Sequence, residues 1–197
     1  MTSVAIIDYG MGNLHSIGKA VEHVAGDLRV SITADPAVIR RADRVIFPGV
    51  GAIRDCMHEL KRLELDAVVR EIAGRKPLLG VCLGMQLLLE FSEENGGTPA
   101  LGVFAGQVRR FPDGLRAAGG ERLKIPHMGW NQVHQHAHPL WAGIPQDSRF
   151  YFVHSYYVAP ARAQDSAGTT DYGIEFTSAV ARDGIFAVQF HPEKSQH

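Results

Sequence analysis

The chain has 197 residues, 45% hydrophobic, 21% charged and 8% aromatic, an ordinary composition for a folded domain with a sizeable core. Twenty Lys and Arg against 21 Asp and Glu leave a net charge of −1, so there is no basic field to attract nucleic acid. Two cysteines make no disulfide framework, Met1-Thr2-Ser3 has no basic segment of a signal peptide, and the longest apolar run, Leu78 to Met85, is far short of the roughly 18 residues of a membrane span; a reducing cytoplasm is the expected compartment.

Val4 to Ile7 reads as a strand, closed by Asp8-Tyr9-Gly10. Leu14, Ile17, Val21 and Val24 then recur at helical spacing. Leu28 to Thr33 predicts a second strand, and Asp35-Pro36 a cap with proline at the first helical position. Arg44 to Phe47 is a third strand, broken by Pro48-Gly49-Val50-Gly51. Ile53 to Ala73 is helical, in one or two pieces, with Gly74 as its stop. Pro77 to Val81 is a fourth strand and Leu83 to Phe91 a helix. Such alternation predicts right-handed βαβ units and a parallel sheet with helices on both faces. After Ser92 the pattern changes. Val108 to Phe111, Leu123 to Ile125 and Asn131 to Val133 read as short strands; Arg149 to Val158, Phe176 to Val180 and Ile185 to Phe190 as longer ones. With no linker between the halves, the expected fold is a single α/β domain. It is a doubly wound, flavodoxin-like mixed sheet in three layers, with antiparallel additions in the C-terminal half.

Gly80-Val81-Cys82-Leu83-Gly84 has the G-x-C-x-G form of a nucleophile elbow, with a thiol as the nucleophile. An apolar strand before it and a helix after it are the context that motif needs. The unpaired N–H groups of a helix start favour a thiolate, and the N–H of Leu83 is a natural oxyanion donor. On this motif alone, a buried structural cysteine between packing glycines remains open. A thiolate needs a base, and His191-Pro192-Glu193 follows a strand directly. In a doubly wound sheet the C-terminal strand ends converge on one edge, so Cys82 and His191 are expected to meet there. Glu193 can then hold the imidazole in one tautomer, as the third member of a triad does. Alone, His191 would read as a surface histidine beside a proline turn.

The segments Gly80 to Gln86 and Phe190 to Glu193 resemble the class I glutamine amidotransferases, glutaminase domains with a Cys–His–Glu triad. Asp8 to Leu14, Pro48 to Ala52, Pro126 to Asn131, His154 to Tyr157 and Lys194-Ser195 narrow the resemblance to members that pass ammonia to a separate, barrel-shaped cyclase subunit. The resemblance spans nearly the whole chain, residues 1–197. It implies Cys82 as nucleophile, His191 as general base and then acid, and Glu193 as its orienting carboxylate. Leu83 and the Gly49-Val50-Gly51 backbone would form the oxyanion hole, and Gln86, Ser155 and Tyr156 would bind glutamine. Asn13, Trp130 and Lys194 would face the cyclase. The chain has no P-loop and no second domain for an acceptor substrate, so a partner subunit is expected. The family commonly continues into a further C-terminal helix; here the sequence stops at His197, and that helix is expected to be missing.

Other patterns are weaker. Gly10-Met11-Gly12 follows a strand, but a dinucleotide fingerprint would need glycine where His15 stands, and no cofactor is expected. His134, His136 and His138 alternate as possible zinc ligands, yet lack an acidic or thiol companion and precede Pro139, so a polar loop with no metal is expected. Cys56 reads as a small packed side chain, and Trp130 as core or as an interface anchor. Two competing readings stay in view: a free-standing cysteine hydrolase such as a γ-glutamyl peptidase, and a non-catalytic flavodoxin-like module.

Overall fold

The computed structural model describes residues 2–195; Met1 and the end at Gln196-His197, on which the expectations about a signal segment and a missing terminal helix fall, lie outside that range. The first half alternates as β1 (Ser3–Ile7), α1 (Leu14–Ala25), β2 (Arg29–Thr33), α2 (Pro36–Arg41), β3 (Arg44–Gly49), α3 (Ile53–Arg62), α4 (Leu65–Ile72), β4 (Leu78–Cys82) and α5 (Leu83–Leu87). Local chemistry sets these limits. The Asp35 carboxylate accepts the Ala37 N–H at 2.8 Å ahead of Pro36. A left-handed Glu64 separates α3 from α4, and Gly74, at φ +75, ends the second.

The second half supplies β5 (Phe91–Ser92), β6 (Thr98–Pro99), β7 (Gly106–Arg110), β8 (His127–Gln132), β9 (His134–Gln135), β10 (Arg149–His154), β11 (Tyr156–Pro160), β12 (Ser166–Asp171), β13 (Glu175–Arg182) and β14 (Ile185–Val188). Twelve strands form one mixed sheet: ten follow the path β2-β1-β3-β4-β14-β13-β11-β7-β5-β6, and β12 and β9 branch from β13. Strands β2 to β14 along that path are parallel, and β13 begins the antiparallel part. Alternation divides each central strand between two cores. Ala5, Ile7, Val45 and Phe47 face α2 to α5 on one side, while Val4, Ile6 and Ile46 meet Ile17 of α1 on the other. Beyond α1 that second face carries an aromatic core of Phe150, Phe152, Phe186, Phe190 and Trp141.

The structure corrects several readings. Strands β8 and β10 form a separate two-stranded sheet, so not every C-terminal strand joins the main one. The run Arg149 to Val158 breaks at Ser155, where the chain passes from one sheet to the other. Leu123 to Ile125 is not a strand; the Gly119-Gly120 turn closes on the lone bridge Arg116–Arg122, and Pro126 offers no N–H to extend it. The helix from Leu83 ends at Leu87 rather than Phe91, because the carbonyls of Leu87, Leu88 and Leu89 accept from the 101–104 segment. Strand β3 runs through Pro48 to Gly49 instead of stopping at Phe47. Val24 lies in the last turn of α1 and is 81% exposed, outside the apolar stripe.

Candidate active site

Gly49 at the end of β3 lies opposite Cys82 at the end of β4, and Val81 opposite Val188 of β14. This places the elbow at the C-terminal edge of the parallel strands, where a ligand site forms in such folds. Cys82 has φ +55 and ψ −115, a strained backbone for a residue with a side chain. The turn depends on glycine: a Cβ on Gly84 would stand 1.9 Å from the Phe47 carbonyl oxygen, and one on Gly80 2.7 Å from the Ala187 Cβ. With α5 only five residues long, its first free N–H groups matter here more than any macrodipole.

Cys82 and His191 line one open cavity of about 400 Å³, together with Val50, Gly51, Leu83, Gln86, Ser155, Tyr156 and Lys194. The His191 Nδ1 meets Glu193 Oε1 at 2.7 Å, leaving Nε2 as the free ring nitrogen. Glu193 Oε2 is buried with no hydrogen-bond partner among the described residues. Strand β10 fixes the turn that carries them. The His191 N–H donates to the Tyr151 carbonyl at 2.9 Å, and the Ser195 hydroxyl donates to the His191 carbonyl at 2.7 Å while accepting the Tyr151 N–H. Burial alone would lower the imidazole pKa; hydrogen bonding and negative charge from Cys82 and Glu193 outweigh it and raise the pKa to about 9. Such an imidazole is charged at neutral pH, the state that supports a thiolate and can protonate a leaving amine.

Around this core the expected residues come together. The Gln86 amide is buried and donates to the Tyr156 carbonyl at 3.1 Å and to Gln189 Oε1 at 2.9 Å. The Ser155 carbonyl accepts from Phe111, so backbone contacts to a ligand at this corner would come from N–H groups. In the Pro48–Gly51 segment the Tyr9 hydroxyl donates to the Pro48 carbonyl at 2.8 Å, the Cys56 thiol reaches the Val50 carbonyl at 3.4 Å, and Gly51 has φ +92. Burial pushes the Cys56 thiol up to about 11, so it is a packed donor. Lys194 Nζ lies 5.8 Å over the Tyr151 ring, which meets Trp130 edge-on at 6.0 Å. Asn13, which opens α1, belongs to the same edge, since α1 packs beside the turn Pro192–Lys194. Of the three alternating histidines, His134 and His136 lie edge to face at 6.2 Å but take separate partners, Asp147 and the Ser166 carbonyl, while His138 caps Leu140 and stacks on Phe186.

Two residues of the site went unread in the sequence. Gln189 is fully buried and points its Nε2 at the Cys82 sulfur, 3.9 Å away. Its signal was a lone polar residue in the apolar run Ile185 to Phe190. Glu94 borders the cavity and accepts the Ile53 N–H at 2.9 Å, tying α3 to the cavity rim.

A family model described as glutamine amidotransferase class-I matches residues 5–197, and the chain belongs to that family. Among solved structures, one titled as a glutamine amidotransferase has a TM-score of 0.73 at 16% identity, covering 98% of this chain and 92% of its own. PurLQS from Thermotoga maritima has a TM-score of 0.69 at 14% identity, covering 100% and 90%. These two share the fold. More specific are the sequence relatives. A Methylococcus capsulatus protein named imidazole glycerol phosphate synthase subunit HisH is 64% identical over 198 residues, covering 100% of this chain and 91% of its own length. The protein of the same name from Nitrosococcus oceani is 63% identical over 196 residues, covering 99% and 91%.

Proposed function

We propose that the chain is the glutaminase subunit of an imidazole glycerol phosphate synthase, in histidine biosynthesis. It is one class I glutamine amidotransferase domain over residues 1–197. It hydrolyses glutamine to glutamate and ammonia and supplies the ammonia to a cyclase subunit. The observation that carries this is the strained Cys82 in one cavity with His191, whose Nδ1 is held by Glu193 at 2.7 Å. The high identity to proteins named as subunits of that synthase supports the particular reaction.

The Cys82 thiolate attacks the side-chain amide carbon of glutamine. The C=O electron pair moves onto oxygen, and the N–H groups of Leu83 and of the Gly49-Val50-Gly51 backbone hold that oxyanion. His191 gives its proton to the amide nitrogen, the C–N bond breaks and ammonia leaves, with a thioester remaining. Water then attacks the thioester while His191 takes its proton; the C–S bond breaks, releasing glutamate and restoring the thiolate. Glu193 keeps Nδ1 protonated, so Nε2 faces the reaction. Glu94 takes the α-ammonium group, and the N–H side of Ser155 and Tyr156 takes the α-carboxylate. Gln86 closes the wall between them.

Asn13, Trp130 and Lys194 form the docking face for the cyclase. Exposed Met128 and Trp130 on β8 favour this over a free-standing hydrolase, since exposed aromatic and Met side chains mark interfaces. Cytoplasmic location belongs to the same reading and is supported by the free thiols at Cys56 and Cys82. The test is glutamine turnover of the chain mixed with its cyclase. Cys82→Ser is expected to lower kcat by several orders of magnitude, and Cys56→Ser to retain activity. Comparable activity in Cys82→Ser would end the reading.

A further inference from the structure

Outside the triad, one pair of buried titratable groups stands unexplained. His127 on β8 and His154 on β10 face each other across the two-stranded sheet, and both are almost fully buried. Their hydrogen bonds fix a direction. His154 Nδ1 lies 2.8 Å from the Tyr156 carbonyl, which can only accept, so Nδ1 carries the hydrogen. In a neutral ring Nε2 is then an acceptor, and His127 Nδ1, 2.8 Å away, must donate to it. That leaves His127 Nε2 as an acceptor, met by the Asn131 amide nitrogen at 3.3 Å. The same nitrogen donates to the Asp171 carbonyl at 2.8 Å, which fixes the orientation of the amide. The result is one directed chain with no alternative arrangement of hydrogens for neutral rings: Asn131 to His127 to His154 to the Tyr156 carbonyl. It ends on the oxygen that also receives the Gln86 amide, and Gln86 leads through Gln189 to the Cys82 sulfur.

We infer that His127 and His154 are positioning residues for the substrate, a hydrogen-bond chain that holds the Ser155–Tyr156 corner and the Gln86 wall in register with Cys82. The surroundings suit neutral rings. His127 is stacked between Phe152 and Tyr172, at 4.8 and 3.9 Å, and Phe111 and Phe176 close around His154 at 5.1 and 5.2 Å. The titratable groups facing the pair are His191 on the cavity side and Tyr172 behind His127, and neither brings a carboxylate that would favour an imidazolium. Burial holds both rings well below the usual histidine range, at about 4 for His127 and about 3 for His154. A proton on either ring would set two N–H donors against each other.

The role in binding rests on the glutaminase reading; the hydrogen-bond chain does not. Nitrogen-15 NMR of histidine-labelled protein between pH 5 and 8 reads the chain itself. Both rings are expected as neutral Nδ1–H tautomers throughout; an Nε2–H tautomer, or a charge appearing near pH 6.5, would overturn it. Glutamine hydrolysis by the chain with its cyclase reads the role. Asn131→Asp keeps the shape but sets a carboxylate against His127 Nε2 and an oxygen against the Asp171 carbonyl, so it favours a charged His127 and breaks the anchor of the chain. It is expected to raise KM for glutamine on the order of tenfold, with kcat changed no more than about threefold. Asn131→Ala, which removes the donor without adding a charge beside His127, is expected to raise KM less. A larger loss for Asn131→Ala would mark a packing role and overturn the proposal. No turnover by the wild-type pair would overturn the glutamine reading and the positioning role together, while the tautomers would still be read.

Discussion

His191 stands between opposed influences, and the outcome sets where the proposed reaction can run. Burial favours the neutral ring; Cys82 and Glu193 favour the charged one and raise its pKa to about 9. Ammonia release needs that proton, so glutamine turnover should persist through neutral pH and fall with an apparent pKa near 9. Glu193→Gln removes the negative charge beside Nδ1. It should move the alkaline limb to lower pH and reduce kcat on the order of 10²–10⁴-fold. An alkaline limb left in place, measured as a pH–kcat profile, would remove Glu193 from its orienting role. Cys82, His191 and Glu193 were legible because a nucleophile between glycines and a His-Pro-Glu turn after a strand are local patterns. Gln189 and the His127–His154 pair were not. Their partners lie 107 and 27 residues away and become neighbours only once β14 lies beside β4 and β10 beside β8.

The elbow between β4 and α5 is the element on which the site depends, and Gly84 is its tightest point. Any side chain there must displace the Phe47 carbonyl at the end of β3, which is backbone and cannot swing aside. Gly84→Ala should therefore cost about 3 kcal/mol or more, measured as a shift in the urea unfolding midpoint. Gly102→Ala, at φ +68 with nothing within 4 Å, should cost only the left-handed strain of about 1 kcal/mol. Equal losses would show that the approach of α5 to β3 is not what requires glycine. The strands and helices of the first half were legible because period-2 and period-3.6 patterns, Asp35-Pro36 and Gly74 agree with the final fold. Apart from the longer β3 and the exposed Val24, disagreement begins at α5. Leu87, Leu88, Leu89 and Glu90 have good helix propensity, yet the carbonyls of Leu87 to Leu89 accept from a loop more than ten residues on, and tertiary bonds override the local preference. Strand β12 was missed for a related reason: Ser166 to Asp171 has little apolar alternation and is held by pairing with β13 and β9.

At the scale of the molecule, three histidines give stability a defined pH dependence. His127 and His154 stay neutral in the fold down to about 4 and 3, whereas an unfolded histidine takes a proton near 6.5. The unfolded state thus binds more protons below pH 6.5, and stability should fall with acid between about 6 and 4 by up to roughly 2.7 kcal/mol per pH unit. His191 acts in the opposite sense. Its raised pKa favours the folded state below 6.5 and loses that contribution as pH rises through about 9. A stability maximum near pH 6.5 is expected in urea titrations, and a curve flat from pH 7 to 5 would contradict the buried neutral pair. The same molecule presents a ledge of Trp130, Tyr151 and Lys194 leading directly to the triad turn. A glutaminase that ran alone would release ammonia to water, so in the proposed synthase the cyclase is expected to gate turnover. The proposed gate is the Gly49-Val50-Gly51 backbone. With an N–H turned away the oxyanion lacks one donor, a deficit on the order of 10²–10³ in rate. Glutamine turnover should rise in that order from the chain alone, to the chain with cyclase, to the pair with cyclase substrate bound. Trp130→Ala should weaken association about 30-fold, as loss of an interface anchor does. Lys194→Ala should reduce stimulation by the partner more than it reduces folding stability. Equal turnover in all three states would remove the gate and favour a free-standing hydrolase; stimulation intact in Lys194→Ala would leave the gate but remove the route through Lys194.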